Sequence, residues 1–160
     1  MTLPTTNFER MIQLAEDVFA VKNDPDQLDV NEQVITRLKE MHPDTVSEYD
    51  DGNGPVAWVL LIPTTTALMN SFLKNEITEK QLFEMTPLHS TYETLYLCSA
   101  MVLEEYRRQG ITKRLVLDAI NRIRKEHTIN ALFYWPFTDE GEQAAVSIAL
   151  LTELPLYKHI

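Results

Sequence analysis

The sequence predicts an α+β (α/β-like) fold in a single domain over residues 1–160: a mixed, mostly antiparallel sheet flanked by helices. Three observations carry this. Asp50-Asp51-Gly52-Asn53-Gly54 is a hairpin-turn signal between two apolar runs. An apolar run, a helical pattern and a second apolar run follow one another from Tyr92 to Trp135, which implies a parallel pair joined by a right-handed crossover. Helical periodicity recurs before, between and after these runs.

The elements follow in order. Asn7 to Lys22 carries Phe8, Met11, Ile12, Ala15, Val18 and Phe19 at helical spacing, with Thr6 or Asn7 as cap and Asn23-Asp24-Pro25-Asp26 as stop. Asn31 to Met41 is a second helix, with Val34, Leu38 and Met41 apolar and Pro43 as terminator. Val46–Tyr49 and Pro55–Ile62 are the hairpin strands, the second ended by Pro63. Thr64 to Met85 holds short helices with stripes at Leu68, Met69, Phe72 and Leu73 and at Leu82, Phe83 and Met85. Tyr92 to Leu103 is the longest unbroken strand pattern. Arg108 to Lys125 is helical through Ile111, Leu115, Val116, Ala119, Ile120 and Ile123. Ile129–Trp135 is a short buried-type strand, and Thr138 to Leu151 is a final helix capped by Thr138 or Asp139. The tail leaves length for one strand.

Composition narrows the function. The 160 residues carry a net charge of −10, which disfavours bulk binding to nucleic acid or an anionic membrane. The longest apolar run, Val56 to Ile62, is too short to cross a bilayer, and MTLPTTNFER lacks the features of a signal peptide. The single cysteine, Cys98, rules out an internal disulfide, so a cytoplasmic location is the default expectation. The cations are uneven: of 14 Lys and Arg, seven lie between Arg107 and Lys125, with Asp118 as the only acidic residue in that span.

The stretch EEYRRQGITKR, residues 104–114, joins the long strand to the long helix. Gly110 permits a close approach or an unusual backbone conformation. The first turn beyond it exposes unpaired N–H groups at the positive end of the helix dipole. Arg107, Arg108, Lys113 and Arg114 cluster there although cations are unfavourable in a first turn. A bound anion resolves that conflict. The alternative is a set of solvated cations paired with Glu104 and Glu105. Neither a P-loop nor a GxGxxG fingerprint is present.

The string Met101 to Leu115 resembles the acyl-CoA signature of the GNAT superfamily of N-acetyltransferases, [Q/R]-x-x-G-x-[G/A] after an apolar strand and opening a helix. Arg107-Arg108-Gln109-Gly110-Ile111 matches its first five positions, and Thr112 stands where the family has Gly or Ala. The resemblance covers most of the chain from residue 7. It implies that backbone N–H groups from about Gln109 to Lys113, through Gly110, Ile111 and Thr112, cradle the CoA pyrophosphate, with Arg107 and Arg108 near the phosphates. It implies that the backbone of Met101, Val102 and Leu103 pairs with the pantetheine arm where the long strand and the Ile129–Trp135 strand splay apart. The amine acceptor, a small molecule or a protein amino group, would approach from the side of the hairpin and N-terminal helices. The donor would be acetyl-CoA, with no metal. The final helix departs from the family in lacking an Asn near its start and a tyrosine near its end. Set beside the family fold, a tail with length for one strand implies truncated C-terminal strands.

Acyl transfer to an amine needs a neutral amine, a polarised thioester carbonyl and a proton for the departing thiolate. Tyr96 and Cys98 share a face of the long strand by alternation, and Tyr96 is a candidate proton donor, with a buried core tyrosine as the competing reading. Glu93 is a candidate base, against the more frequent exposed carboxylate. Tyr157, in the tail, is a third candidate. Cys98 reads as a small core residue. His89 lies nearest the strand's start, whereas His42, His127 and His159 read as loop or surface residues. Trp58, Phe133, Tyr134 and Trp135 read as core. The acidic runs Ser47–Asp51 and Asp24–Asp29 would favour a cationic amine if they rim the acceptor entrance.

The function expected is therefore acyl-CoA-dependent N-acetyl transfer to a primary amine by direct attack. The alternatives are a non-catalytic acyl-CoA-binding or regulatory module on the same fold, and an interaction domain whose basic helix docks on an acidic partner. The short tail further suggests a homodimer in which a neighbouring chain completes the sheet edge.

Overall fold

The structure, a computed structural model, describes residues 6–22, 28, 31–136 and 138–159, the side chains of 18–22 excepted. The acidic stretch 24–29 apart from Leu28, the side chains of Val18 and Phe19, and Phe137 lie outside the described residues. The elements are α1 (Asn7–Lys22), α2 (Glu32–Met41), β1 (Val46–Asp50), β2 (Pro55–Thr64), α3 (Thr66–Leu73), α4 (Glu79–Met85), β3 (Thr94–Val102), α5 (Ile111–Arg124), β4 (Ala131–Tyr134), α6 (Asp139–Thr152) and β5 (Leu156–Lys158). Single 3₁₀ turns, Pro43–Thr45 and Glu104–Tyr106, precede β1 and follow β3.

The five strands lie in sequence order across one sheet. β1–β2 and β2–β3 are antiparallel and form the longer ladders, whereas β3–β4 and β4–β5 are parallel and short. The hairpin forms where the turn residues predict it: Gly52 and Gly54 take φ of +103° and +112°, and the Asp50 carboxylate accepts both their N–H groups. Each parallel connection carries a helix, α5 between β3 and β4 and α6 between β4 and β5, as parallel strands require.

β3 (Thr94–Val102) and β4 (Ala131–Tyr134) are shorter than the strands read in the sequence, other ends shift by a residue, and two boundaries differ for an identifiable local reason. β2 runs through Pro63 to Thr64. Leu103 N–H donates to the Val56 carbonyl, so even-numbered β2 residues face β3 and odd-numbered ones face β1. The N–H that Pro63 lacks would point toward β1, whose pairing with β2 reaches only Leu60. α5 begins at Ile111 and not at Arg108, because Arg108 and Gly110 both adopt left-handed backbone, φ +64° and +74°.

Alternation and register decide which side chains share a face. Trp58, Ile62, Tyr96 and Phe133 lie together, under α1 and α3: Phe8 of α1 meets Trp58 edge-on, and Phe72 of α3 packs on Tyr96 and Phe133. α5 packs over β1, β2 and β3 through its buried stripe Val116, Ala119, Ile120 and Ile123, with α6 at its side. The core spans the sheet from Val56 and Leu61 to Leu95 and Leu132.

Candidate active site

Parallel pairing between β3 and β4 covers only Thr94–Tyr96 against Ala131–Phe133. β3 then continues to Val102, while β4 ends at Tyr134. The strands part from Tyr96 onward, and the cause lies in β3. Its register with β2 passes from Leu97 opposite Leu61 to Ser99 opposite Leu60, which makes Cys98 the extra residue of a β-bulge. A bulge bends a strand and raises its twist.

The bulge decides which backbone groups face the gap. Leu103 N–H is committed to Val56, and Met101, two residues back, likewise faces Trp58 on β2. Ala100 and Val102 therefore turn their N–H and C=O groups toward the gap. The Val102 carbonyl accepts a long hydrogen bond, 3.4 Å, from Arg107 Nε. Of the three backbone residues expected along the pantetheine arm, Val102 is thus the one whose polar groups face the opening.

The start of α5 stands at the same end of the sheet. Its first intrahelical bond runs from Arg114 N–H to the Gly110 carbonyl, so the N–H groups of Ile111, Thr112 and Lys113 precede the helical ladder. α1, α2, α3, α4 and α6 begin with a side-chain cap from Thr6, Asn31, Thr65, Thr78 and Thr138 respectively. α5 has none, and its first turn holds no acidic residue. Gly110 adopts left-handed backbone, and a Cβ built there meets no atom within 4 Å. The conformation, not crowding, is what calls for glycine.

Arg107, Arg108 and Arg114 are exposed and Lys113 half-buried. Among the described residues, ion pairs involve Arg10, His42, Arg122 and Lys158, and none involves these four cations. Glu105 pairs instead with Arg10 of α1 at 2.6 Å, which holds its carboxyl below the usual carboxylate range. The reading of these cations as partners of Glu104 and Glu105 thus finds no support in the geometry.

The acid and base candidates lie as follows. Tyr96 is buried at the last paired position of β3, and its hydroxyl donates to Glu79 Oε2 at 2.5 Å. Burial first, and the Glu79 carboxylate next, push that phenol well above its ordinary value. Its proton is directed at Glu79, whose other oxygen accepts Leu28 N–H at 2.8 Å. Glu93 just precedes β3, at the paired end, and accepts Thr66 N–H at 3.2 Å in the first turn of α3. Tyr157 lies on β5 opposite Phe133, so β4 stands between it and the gap. The structure does not bring these three together.

His42, His127 and His159 lie outside helices and strands, as expected, but they are not surface residues. His42 is 3% exposed and lies 3.0 Å from Glu126 through Nε2. His159 is 6% exposed and stacks on Phe72 with ring centroids 4.3 Å apart, and burial lowers its pKa. His127, half-buried, accepts Tyr92 N–H through Nδ1 at 3.3 Å. His89 is exposed. Phe133 and Tyr134 are core, whereas Trp58 and Trp135 are half-buried, and Trp58 Nε1 donates to Glu48 at 2.8 Å.

No helix among the described residues is long and apolar enough to cross a membrane. No group of three or more His, Cys, Asp or Glu among them could hold a metal ion.

Residues 8–151 match the sequence profile of the Acetyltransferase (GNAT) family. No curated protein sequence shows a significant match. Among solved structures, an aminoglycoside acetyltransferase from an uncultured soil metagenomic sample, crystallised with trehalose, is similar at a TM-score of 0.49 and 18% sequence identity, over 93% of this chain and 84% of that one.

Proposed function

The chain belongs to the GNAT acetyltransferase family, and from that premise we propose that it transfers an acetyl group from acetyl-CoA to a primary amine by direct attack. The observation that carries this reading is the start of α5. Among the described residues it is the helix without a side-chain cap and its flanking cations have no carboxylate partners; it also follows a left-handed glycine and stands beside parted strands. Such a terminus offers backbone donors and a favourable dipole to a diphosphate, with Arg107 and Arg108 adding charge.

Pantetheine would extend along the β3 edge at Ala100 and Val102, which sets the thioester near the bulge. A backbone N–H at that edge would polarise the thioester carbonyl. The amine nitrogen attacks the carbonyl carbon, the C–N bond forms and the C–S bond breaks. Of the two protons the ammonium loses, one ends on the thiolate and the other in water. The acceptor would enter from the side of α1 and the hairpin, where Glu48, Asp50 and Asp51 favour a cation. We take residues 1–160 as one domain acting in the cytoplasm. The three-residue β5 edge fits completion by a second copy.

A second reading, acyl-CoA binding without turnover, is favoured by where the three acid–base candidates lie: the Tyr96 proton points at Glu79, Glu93 accepts Thr66 N–H of α3, and Tyr157 lies behind β4. Release of free CoA thiol from acetyl-CoA across a panel of primary amines separates the two. Amine-dependent release supports transfer. Binding with no release above the amine-free rate supports the binding module.

A further inference from the structure

The loop 107–110 needs an anchor. It holds two left-handed residues, Arg108 and Gly110, and left-handed backbone is unfavourable for a side-chain-bearing residue such as Arg108. At its far end the Gly110 carbonyl accepts Arg114 N–H of α5 at 3.0 Å; its other ties are Arg107 N–H to the Glu104 carbonyl at 3.2 Å, Arg107 Nε to Val102 at a long 3.4 Å, and Gln109 Nε2 to the Glu105 carbonyl at 3.1 Å. Two of these four end on the turn Glu104–Tyr106, so the placement of the loop ahead of α5 depends on that turn.

The turn is fixed from outside by its side chains. Tyr106 Oη donates to Asp51 Oδ2 at the hairpin tip. Asp51 Oδ1 accepts from Asn7 Nδ2 at 3.1 Å and from Asn53 N–H at 2.8 Å. Arg10, one turn along α1 from Asn7, holds Glu105 at 2.6 Å. Gly54 lets α1 sit this close, since a Cβ there would come within 3.2 Å of Asn7 Cβ. Three segments far apart in sequence thus meet immediately before the loop.

We propose that Tyr106 and Glu105 are positioning residues of the acyl-CoA site, holding the loop 107–110 in its binding conformation through Asp51 and Arg10. This rests on the reading that acyl-CoA binds at that loop. The device is preorganisation: a loop already held loses less conformational freedom when the diphosphate docks. Glu105 has a second use. Its charge, matched by Arg10, is withdrawn from the cations that would meet the phosphates. The same links join the CoA loop to α1 and the hairpin, so the two substrate sides share one support.

The test titrates CoA into the parent chain and into Tyr106→Phe, Asp51→Asn and Arg10→Met, alongside melting and amide exchange. Asparagine at 51 keeps Oδ1 for Asn7 and Asn53 and offers Nδ2–H to the Tyr106 oxygen, so the tie survives with its donor reversed. Tyr106→Phe should bind CoA about five- to tenfold more weakly, since freeing about one residue's backbone is of that order. Its amide exchange should quicken at residues 107–113 and not elsewhere. Asp51→Asn should bind within about twofold of the parent, because it retains the tie. Arg10→Met, which leaves the hairpin link intact, gives an independent reading of the same amides if Tyr106→Phe fails to fold. Parent-like CoA affinity and parent-like exchange at 107–113 in the variants overturn the proposal while leaving the acyl-CoA reading standing. Weakening in Asp51→Asn with parent-like affinity in Tyr106→Phe also overturns it, because charge and not the tie would then matter. A parent chain that does not bind CoA overturns the acyl-CoA reading and this inference with it.

Discussion

Replacing Gly110 by aspartate should remove acetyl-CoA binding and leave the fold almost untouched. Gly110 has φ +74° and ψ 14°, and an added Cβ meets nothing within 4 Å, so the cost to folding is conformational. Left-handed backbone costs a non-glycine residue about 1–2 kcal/mol, less for aspartate. A carboxylate at the start of an uncapped helix returns about 0.3–1 kcal/mol through the dipole. The net change is about 1 kcal/mol, or about 3 °C in Tm for a chain of this size. Binding suffers far more. A carboxylate about 5 Å from two phosphate charges, at an effective dielectric of about 40, costs about 3 kcal/mol, on the order of a hundredfold in Kd. Calorimetric titration of acetyl-CoA into the parent, Gly110→Asp and Gly110→Ala reads this directly. Gly110→Ala shares the strain without the charge and should retain most of the affinity. A folded Gly110→Asp that binds within about threefold of the parent would falsify the assignment of the diphosphate to this helix start, since repulsion alone predicts far more.

Two further outcomes follow from the same contacts. Tyr96→Phe leaves the buried Glu79 carboxylate with one hydrogen bond fewer, so it should cost about 1–3 kcal/mol of stability, seen as a Tm lowered by about 3–9 °C, while CoA affinity stays at the parent value. The Arg10 hydrogen bond lowers the Glu105 pKa, so its stabilisation is present above the ordinary carboxylate value and is lost as pH falls through the lowered one. The Tm of the parent should therefore exceed that of Arg10→Met near neutral pH, with the gap closing as pH falls below the carboxylate range. A gap that widens in acid would contradict the pairing.

What could be read from the sequence was local. The hairpin was legible because Gly52 and Gly54 at a turn have one conformational use, and both adopt positive φ. The glycine and four cations at the strand–helix junction are legible as a conflict with the dipole, although α5 begins three residues later than the periodicity suggests. The bulge was not legible, since nothing distinguishes Cys98 from any other strand residue before its register with β2 is known. Pro63 looked like a terminator because its tolerance depends on where β1 stops. His42 and His159 read as superficial because the rings they pack against, His127 and Phe72, are distant in sequence. The tie of Tyr106 to Asp51 spans 55 residues, and that of Tyr96 to Glu79 joins β3 to α4. No spacing rule predicts either pair, so contacts between distant segments are harder to see than the local pattern that marks the candidate site.

The central claim is that the start of α5 binds the diphosphate of an acyl-CoA. Thermal melting of the parent chain with and without acetyl-CoA tests it most directly. Ligand at about a hundred times its Kd should add about 2.7 kcal/mol, a rise of about 8 °C in Tm, and at the same concentration the rise in Gly110→Asp should fall to about 1 °C. An unchanged Tm at millimolar acetyl-CoA would contradict the account.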